Sequence, residues 1–272
     1  MSKTASSIKS LVKVTLQSRP TGLKPQRRVR PLIVLANGPS LNDTMRDSLS
    51  ALECNDCASV NFAPLSEMFF KIKPKYHFMA DPLFFSQEAP FNVKQLFEAL
   101  ARVDWDLTLF VPCRFAGKLP EGVRANMKIK VQKFNFVGAE GFGWMEKLLY
   151  NHKLAMPRPR NVLIPALMGG IWLGYKEIYI VGADHSWMRT ISVDDDNNVI
   201  SIQPHFYKED EREQKRVDTA YKNYRLHQIV HSFYVAFRSY HVLERYAQKK
   251  GVEIYNSTPG SYIDAFKRRP LP

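Results

Sequence analysis

Residues 32–36 read Leu-Ile-Val-Leu-Ala, an apolar run that stops at Asn37-Gly38-Pro39-Ser40 and gives way to a helical spacing of Leu41, Met45, Leu49 and Leu52. A continuous apolar run of this length marks a strand buried on both faces, the kind found in parallel sheets covered by helices on each side. Strand, glycine turn and helix start together open a doubly wound α/β unit. The same texture recurs downstream. Strands are expected at 58–62, 76–80, 107–111, 127–134, 177–181 and 252–255, with helices over 93–102 and 165–173. The expected fold is therefore α/β and Rossmann-like: a doubly wound, mainly parallel sheet with helices on both faces.

Two segments break this alternation. Residues 190–203 alternate apolar and polar side chains around Asp194-Asp195-Asp196-Asn197-Asn198, a pattern that predicts an exposed β-hairpin. Residues 209–250 read as a long helical stretch that begins with solvated charges and becomes strongly aromatic from Tyr221 to Tyr246. Residues 188–216 are expected to form a small lid on a single domain spanning 31–272. A chain of 272 residues is long enough for such a core.

The net charge of +13 is unevenly spread: residues 1–30 hold eight basic side chains and no acid, leaving only +5 on residues 31–272. That distribution argues against a nucleic-acid-binding globule and for a basic arm on an ordinary domain. Within the arm, Ile8, Leu11, Val12 and Thr15 share one side of a helical wheel, with Lys9 and Lys13 elsewhere. Two expectations follow for residues 1–30: a frayed, flexible extension, or a short helix lying on an anionic membrane surface. Three cysteines exclude a disulfide framework, and no histidine pair completes a zinc set with Cys54 and Cys57. With no apolar run near 20 residues and no signal-peptide pattern, the expected location is the cytoplasm, peripheral on the inner face of the membrane if the arm binds lipid.

In open α/β sheets ligands bind at the carboxyl ends of the strands, and the polar residues here gather at those ends. Asn37, Gly38, Pro39 and Ser40 follow the first strand, Asn61 ends the second and Asp81 the third. Asp184, His185 and Ser186 follow the strand at 177–181, and Ser261 follows the last. Gly38 would let the backbone approach a ligand, and the helix start after it favours an anion. The turn is neither a Walker P-loop nor a G-x-G-x-x-G fingerprint. Asp194–Asp196 is ordinary turn chemistry, so no metal site is expected. Among the seven histidines, His185 lies beside the strand-end Asp184, His205 follows the hairpin, and His227 and His231 stand one helical turn apart. Such groups suit proton transfer near neutral pH.

Five stretches occur together in order: A-N-G-P-S-L at 36–41, V-N-F at 60–62, Asp81-Pro82-Leu83-Phe84-Phe85, L-G-Y-K-E-I-Y-I-V-G-A-D at 173–184, and I-Y-N-S-T-P-G-S-Y-I at 254–263. In this the chain resembles bacterial lipooligosaccharide sialyltransferases of glycosyltransferase family 42, over most of residues 31–266, with the middle from about 86 to 160 matching poorly. The first turn also fits a wider group that includes 6-hydroxymethylpterin pyrophosphokinase-like and flagellin-glycosylation proteins. The resemblance implies inverting transfer of a sialic-acid-like sugar from a CMP-activated donor to a glycan or lipid-linked acceptor. It implies that Asn37, Gly38 and Ser40 contact the CMP phosphate and ribose and Asn61 the donor, while Asp184 frames the site and Ser261 lies near the nucleotide. Where the family carries tyrosines this chain has Ser186 and Ser192, and where it carries Thr-Ser-Gly this chain has Asn161-Val162-Leu163. The family's catalytic histidine falls on Tyr234, one turn from His231, which makes His231 the first candidate for the base and His185 and His205 its substitutes. No cofactor is expected beyond the CMP-sugar substrate, and no nucleic-acid partner. The alternatives are an ATP- and magnesium-dependent pyrophosphokinase of the pterin type and a non-catalytic adaptor.

Overall fold

The computed structural model describes residues 2–86, 91–200 and 224–272. Among them an eight-stranded sheet forms the centre, and every strand pairing in it is parallel. Its strands are β1 (Leu32–Leu35), β2 (Asp56–Val60), β3 (Tyr76–Phe78), β4 (Leu107–Pro112), β5 (Ile129–Phe134), β6 (Glu177–Val181), β9 (Glu253–Asn256) and β10 (Lys267–Arg268), with β7 (Ser192–Val193) and β8 (Val199–Ile200) forming a separate hairpin. The order across the sheet is β10-β9-β6-β1-β2-β3-β4-β5. From β1 the chain steps outward through β5, then crosses back to lay β6 against the other side of β1. The crevice at the carboxyl ends of β1 and β6 is thus the switch point where such sheets take ligands.

The pleat of β1 sorts its side chains. Leu32 and Val34 join the core under α8 (Leu163–Leu173) and the long helix α9 (Leu226–Lys249), whereas Ile33 and Leu35 face α2 (Leu41–Asp47) and α3 (Leu49–Cys54). Every residue of β1 and of α8 is buried, as continuous apolar runs require. A third cluster joins β4 to α5 (Phe91–Ala101) and α6 (Glu121–Arg124). The strands and helices expected between 32 and 181 are all present, with boundaries shifted by up to two residues. The two-residue β10 goes beyond the expectation, because Lys267 and Arg268 are exposed and carry no apolar pattern.

The N-terminal segment departs from the flexible-extension reading. Residues Lys3–Gln17 form helix α1, which docks through Ser7, Ser10 and Val14 rather than through its apolar stripe. Ser10 Oγ donates to Glu140 O at 2.8 Å and accepts from Glu140 N at 2.9 Å, while Ser7 Oγ accepts from Phe142 N at 3.0 Å. Gly141 makes this approach possible: a Cβ there would stand 2.1 Å from Ser7 Oγ. Beyond the helix, Ser18 Oγ donates to Leu154 O at 2.6 Å, Asn135 bridges the backbone of Arg19, and Gln26 N donates to Leu173 O at 3.0 Å. Residues 3–26 are therefore tied to the sheet's flank by main-chain partners that the segment's own sequence does not announce.

The hairpin expected around Asp194 is present, with Ser192 opposite Ile200 and Val193 opposite Val199. Asp194 accepts from Asn198 N at 2.7 Å and Asp196 N at 3.1 Å, which is turn chemistry. Val199 packs with Trp187 and Ile191 against Ile229 and Phe233 of α9. Residues 201–216 of the expected lid, His205, and residues 209–223 of the expected helix lie outside the described residues. No helix among the described residues is long and apolar enough to cross a membrane.

Candidate functional site

The cavity at the β1–β6 switch encloses about 160 Å³. Its walls include Asn37, Asn61, Asp81, Asn161, Asp184 and His185, with Phe84 and Trp187 as the apolar surfaces. The strand-end residues singled out from sequence converge here, as the parallel topology demands: Asn37, Gly38 and Pro39 from the turn after β1, Asn61 after β2, Asp81 after β3, and Asp184, His185 and Ser186 after β6.

The turn after β1 is held by Asp184. Ser40 precedes α2, and its donors go to the Asp184 carboxylate, 144 residues away: Oδ2 accepts from Ser40 Oγ at 2.8 Å and from Ser40 N at 3.4 Å, while Leu41 N and Asn42 N donate to Gly38 O at 3.0 Å and Pro39 O at 3.1 Å. Gly38 N donates to Gly182 O at 2.7 Å. The backbone donors read from sequence as anion ligands are thus engaged within the protein. Gly38 itself is required by the close approach of this loop, since a Cβ there would lie 2.0 Å from Asp184 Oδ2 and 2.5 Å from Gly182 O.

What the cavity offers a ligand comes from elsewhere. Asn37 Nδ2 donates to Val60 O at 3.3 Å, which leaves its Oδ1 buried without a partner. Asn61 sits in the left-handed region (φ 46°), with its main-chain N–H on Phe78 O, and its Oδ1 is likewise buried and unpartnered. Two buried acceptors left unsatisfied are costly, and both line one cavity. They suit a ligand that donates, such as a base amino group or a ribose hydroxyl. Asp81 Oδ1 accepts from Leu83 N at 2.9 Å and so fixes the turn that carries Phe84.

His185 also adopts a left-handed backbone (φ 51°), which turns its ring toward α9. Its Nε2 lies 2.7 Å from the Tyr240 hydroxyl and 3.4 Å from Asn161 Nδ2, and the ring lies over Trp187 at 4.2 Å between centroids. Asn161 is fixed in turn, because Leu163 N donates to its Oδ1 at 3.1 Å while its amide lies within 3.1 Å of the Tyr240 hydroxyl. Tyr240 thereby selects the imidazole tautomer. When it donates to Asn161 Oδ1, His185 keeps its hydrogen on Nε2 and Nδ1 can accept; when it donates to Nε2, Nδ1 carries the hydrogen. Burial pushes the His185 pKa down to about 3 and holds the Tyr240 hydroxyl protonated.

Two sequence-derived assignments come out differently. His231 is exposed on α9, stacks its ring against Tyr234 at 6.1 Å, and is not among the cavity's lining residues. The α9 residue that reaches the site is Tyr240, through His185. Ser261 also stays outside the lining: its Oγ donates to Ala183 O at 2.6 Å and accepts from Asn256 Nδ2 and Ile263 N, so it braces the loop that carries Asp184. Asn161 and Tyr240 were not singled out as site residues. The sequence carried one signal for Asn161, its place before the small-residue helix α8; Tyr240 reads as one core aromatic among many, and only its hydroxyl's partners set it apart. Among the described residues no cluster of three His, Cys, Asp or Glu side chains forms a metal-binding group.

No family model and no curated protein sequence matches this chain. Among solved structures it is similar to the MAf glycosyltransferase from Magnetospirillum magneticum AMB-1, with a TM-score of 0.50 and 11% identity, covering 93% of this chain and 34% of that one. The likeness shows a shared Rossmann-like α/β fold, and the chain spans about a third of the length of the protein it matches.

Proposed function

We propose that the chain is a glycosyltransferase whose nucleotide-activated donor lies across the β1–β6 crevice. The observation that carries this reading is the pair of buried, unpartnered amide oxygens of Asn37 and Asn61, in one cavity with His185. Ligand cavities commonly enclose roughly 300–1,000 Å³. At about 160 Å³ this one matches only part of a nucleotide-sugar, and the rest would extend toward solvent past Trp187. The finer assignment, from the family-42 resemblance, is inverting transfer of an acidic, sialic-acid-like sugar from its CMP conjugate to a glycan or lipid-linked hydroxyl, without a metal.

In this mechanism Asn37 and Asn61 accept hydrogen bonds from the nucleoside, and Asp184 keeps the β1 turn and the β6 loop in one geometry. The acceptor hydroxyl attacks the anomeric carbon as its bond to the phosphate oxygen breaks. The bonding pair leaves with the nucleotide phosphate, and the hydroxyl proton passes to His185 Nδ1 in the tautomer set by Tyr240. Burial alone makes His185 a weak base, and an anionic donor beside it raises the imidazole pKa again. His185 replaces His231 as the base in this reading.

Thermal shifts with CMP, CDP, UMP, UDP, GDP and ATP, each with and without magnesium, test it. Metal-independent stabilisation by CMP or CDP, lost in Asn37→Ala and Asn61→Ala, is the expected result. Stabilisation by ATP only with magnesium would replace this reading with the pyrophosphokinase, and a flat panel with the adaptor.

A further inference from the structure

Helix α1 is oriented against its own amphipathicity. Its small polar face is buried, and Ile8, Leu11, Val12 and Leu16 stand between 46% and 66% exposed on the opposite side. A second helix lies beside it. Ser7 meets Phe142 at the start of α7 (Gly143–Asn151) and Ser18 meets Leu154 just beyond its end, so the two helices run side by side. There α7 exposes Trp144 at 70% and Leu148 at 50%, one turn apart. Apolar side chains on two adjacent helices, one of them a tryptophan, are a surface that water does not favour.

The flank of α1 between the apolar stripe and the buried face carries Lys9 and Lys13, which line a separate cavity of about 360 Å³ with Arg114 and Arg158. The one carboxylate in its wall, Glu140, is already held by Arg158 at 3.5 Å and Arg238 at 2.7 Å. Lys9, Lys13 and Arg114 have no ion pair among the described residues. The cavity opens between α1 and the chain following β4 and β5, on the carboxyl edge of the sheet that also carries the nucleotide crevice.

We propose that the α1–α7 face seats the protein on an anionic membrane, with the cavity edged by Lys9, Lys13 and Arg114 receiving a lipid phosphate. The geometry is that of an interfacial helix: apolar side chains enter the acyl boundary while the lysines on the flank reach the headgroups. Charge complementarity selects the occupant, because residues 1–30 carry eight basic side chains and no acid. A second copy of this face would set one lysine cluster against another. The proposal stands independently of the transferase reading.

The test is co-sedimentation of the full chain with phosphatidylcholine vesicles, with and without phosphatidylglycerol, alongside light scattering of the free protein. Binding is expected only with the anionic lipid, weakening as salt rises. At about fivefold in affinity per surface lysine, Lys9→Ala with Lys13→Ala lowers it roughly 30-fold. Leu11→Asp, at an exposed position, abolishes binding with an unchanged melting temperature. Four results overturn the proposal: no binding to anionic vesicles; equal binding to both vesicle types; a dimer that Leu11→Asp dissociates, without vesicle binding; or stabilisation by soluble glycerol phosphate that Arg114→Ala removes, without vesicle binding. Because the readout involves no sugar transfer, its failure leaves the enzymatic reading untouched, and the reverse also holds.

Discussion

Gly38→Ala separates two reasons for a glycine after the first strand. If Gly38 serves only the approach of a ligand, the unliganded protein tolerates a methyl group there. The structure argues otherwise, because the new Cβ would lie 2.0 Å from Asp184 Oδ2 and 2.5 Å from the main-chain oxygen of Gly182. Rotating Asp184 relieves the first contact but surrenders its hydrogen bonds to Ser40, worth roughly 1.5–3 kcal/mol for a charged acceptor. The second contact is with backbone that also accepts from Gly38 N at 2.7 Å, so the loop itself must shift, at roughly 1–3 kcal/mol for overpacking. Together these give a loss of roughly 2.5–6 kcal/mol and, at about 2–4 °C per kcal/mol for a large domain, a fall in Tm of roughly 5–24 °C. Calorimetry of the unliganded protein reads this directly. Asp184→Ala in the same background removes one of the two contacts, so the double variant should lose at least about 1 kcal/mol less than the two single losses combined. A Tm of Gly38→Ala within about 2 °C of the parent would refute the reasoning.

His185→Ala is expected to lower sugar transfer by roughly 10²–10⁴-fold, and His231→Ala to leave it within about twofold, measured as product formed per unit time with a CMP-sugar donor. Tyr240→Phe removes the hydroxyl between His185 and Asn161; it should lower kcat more than KM, shift the acidic limb of the pH–rate profile, and leave the fold intact by circular dichroism. Burial holds the His77 and His185 pKa values down at about 3, well below the unfolded value of 6.5. The unfolded chain therefore binds more protons below pH 6.5, and stability, complete above that pH, is lost as pH falls toward 3. For fully buried His77 the slope is about 1.4 kcal/mol per pH unit, measurable by urea denaturation at pH 7.5 and 5, and His77→Gln should flatten it. Helix α1 should resist trypsin at Lys9 and Lys13 under native conditions, and rapid cleavage there would contradict its docking.

The alternation of buried strands, glycine turns and helices was legible because it arises from local periodicity: a short apolar run bounded by turn residues fits a strand covered on both faces, and the longer run at 163–173 fits a buried helix. The polar strand ends followed from it, since in a parallel sheet all carboxyl ends share one edge. That was enough to bring Asn37, Asn61, Asp81, Asp184, His185 and Ser186 to one place. Everything that pairs across long separations was not legible. Asp184 holds Ser40, 144 residues before it, and Tyr240 reaches His185 across 55. No spacing rule encodes either. His231 looked better placed than Tyr240 because it stands one turn from the position of the family's histidine, but helix phase leaves it facing solvent.

The sequence by itself determined the fold class, the edge of the sheet where the β1–β6 cavity opens and most of the side chains at that edge, through periods of two and 3.6 residues that backbone geometry imposes. Tertiary structure alone decided which of those groups are spent on each other and which remain for a ligand. It left Asn37 and Asn61 with unpartnered oxygens while pairing Ser40 with Asp184. It also turned α1 over. Hydrophobic patterning favours burying Ile8, Leu11 and Val12, yet the face that docks is the one whose serines meet the main-chain groups of Glu140 and Phe142.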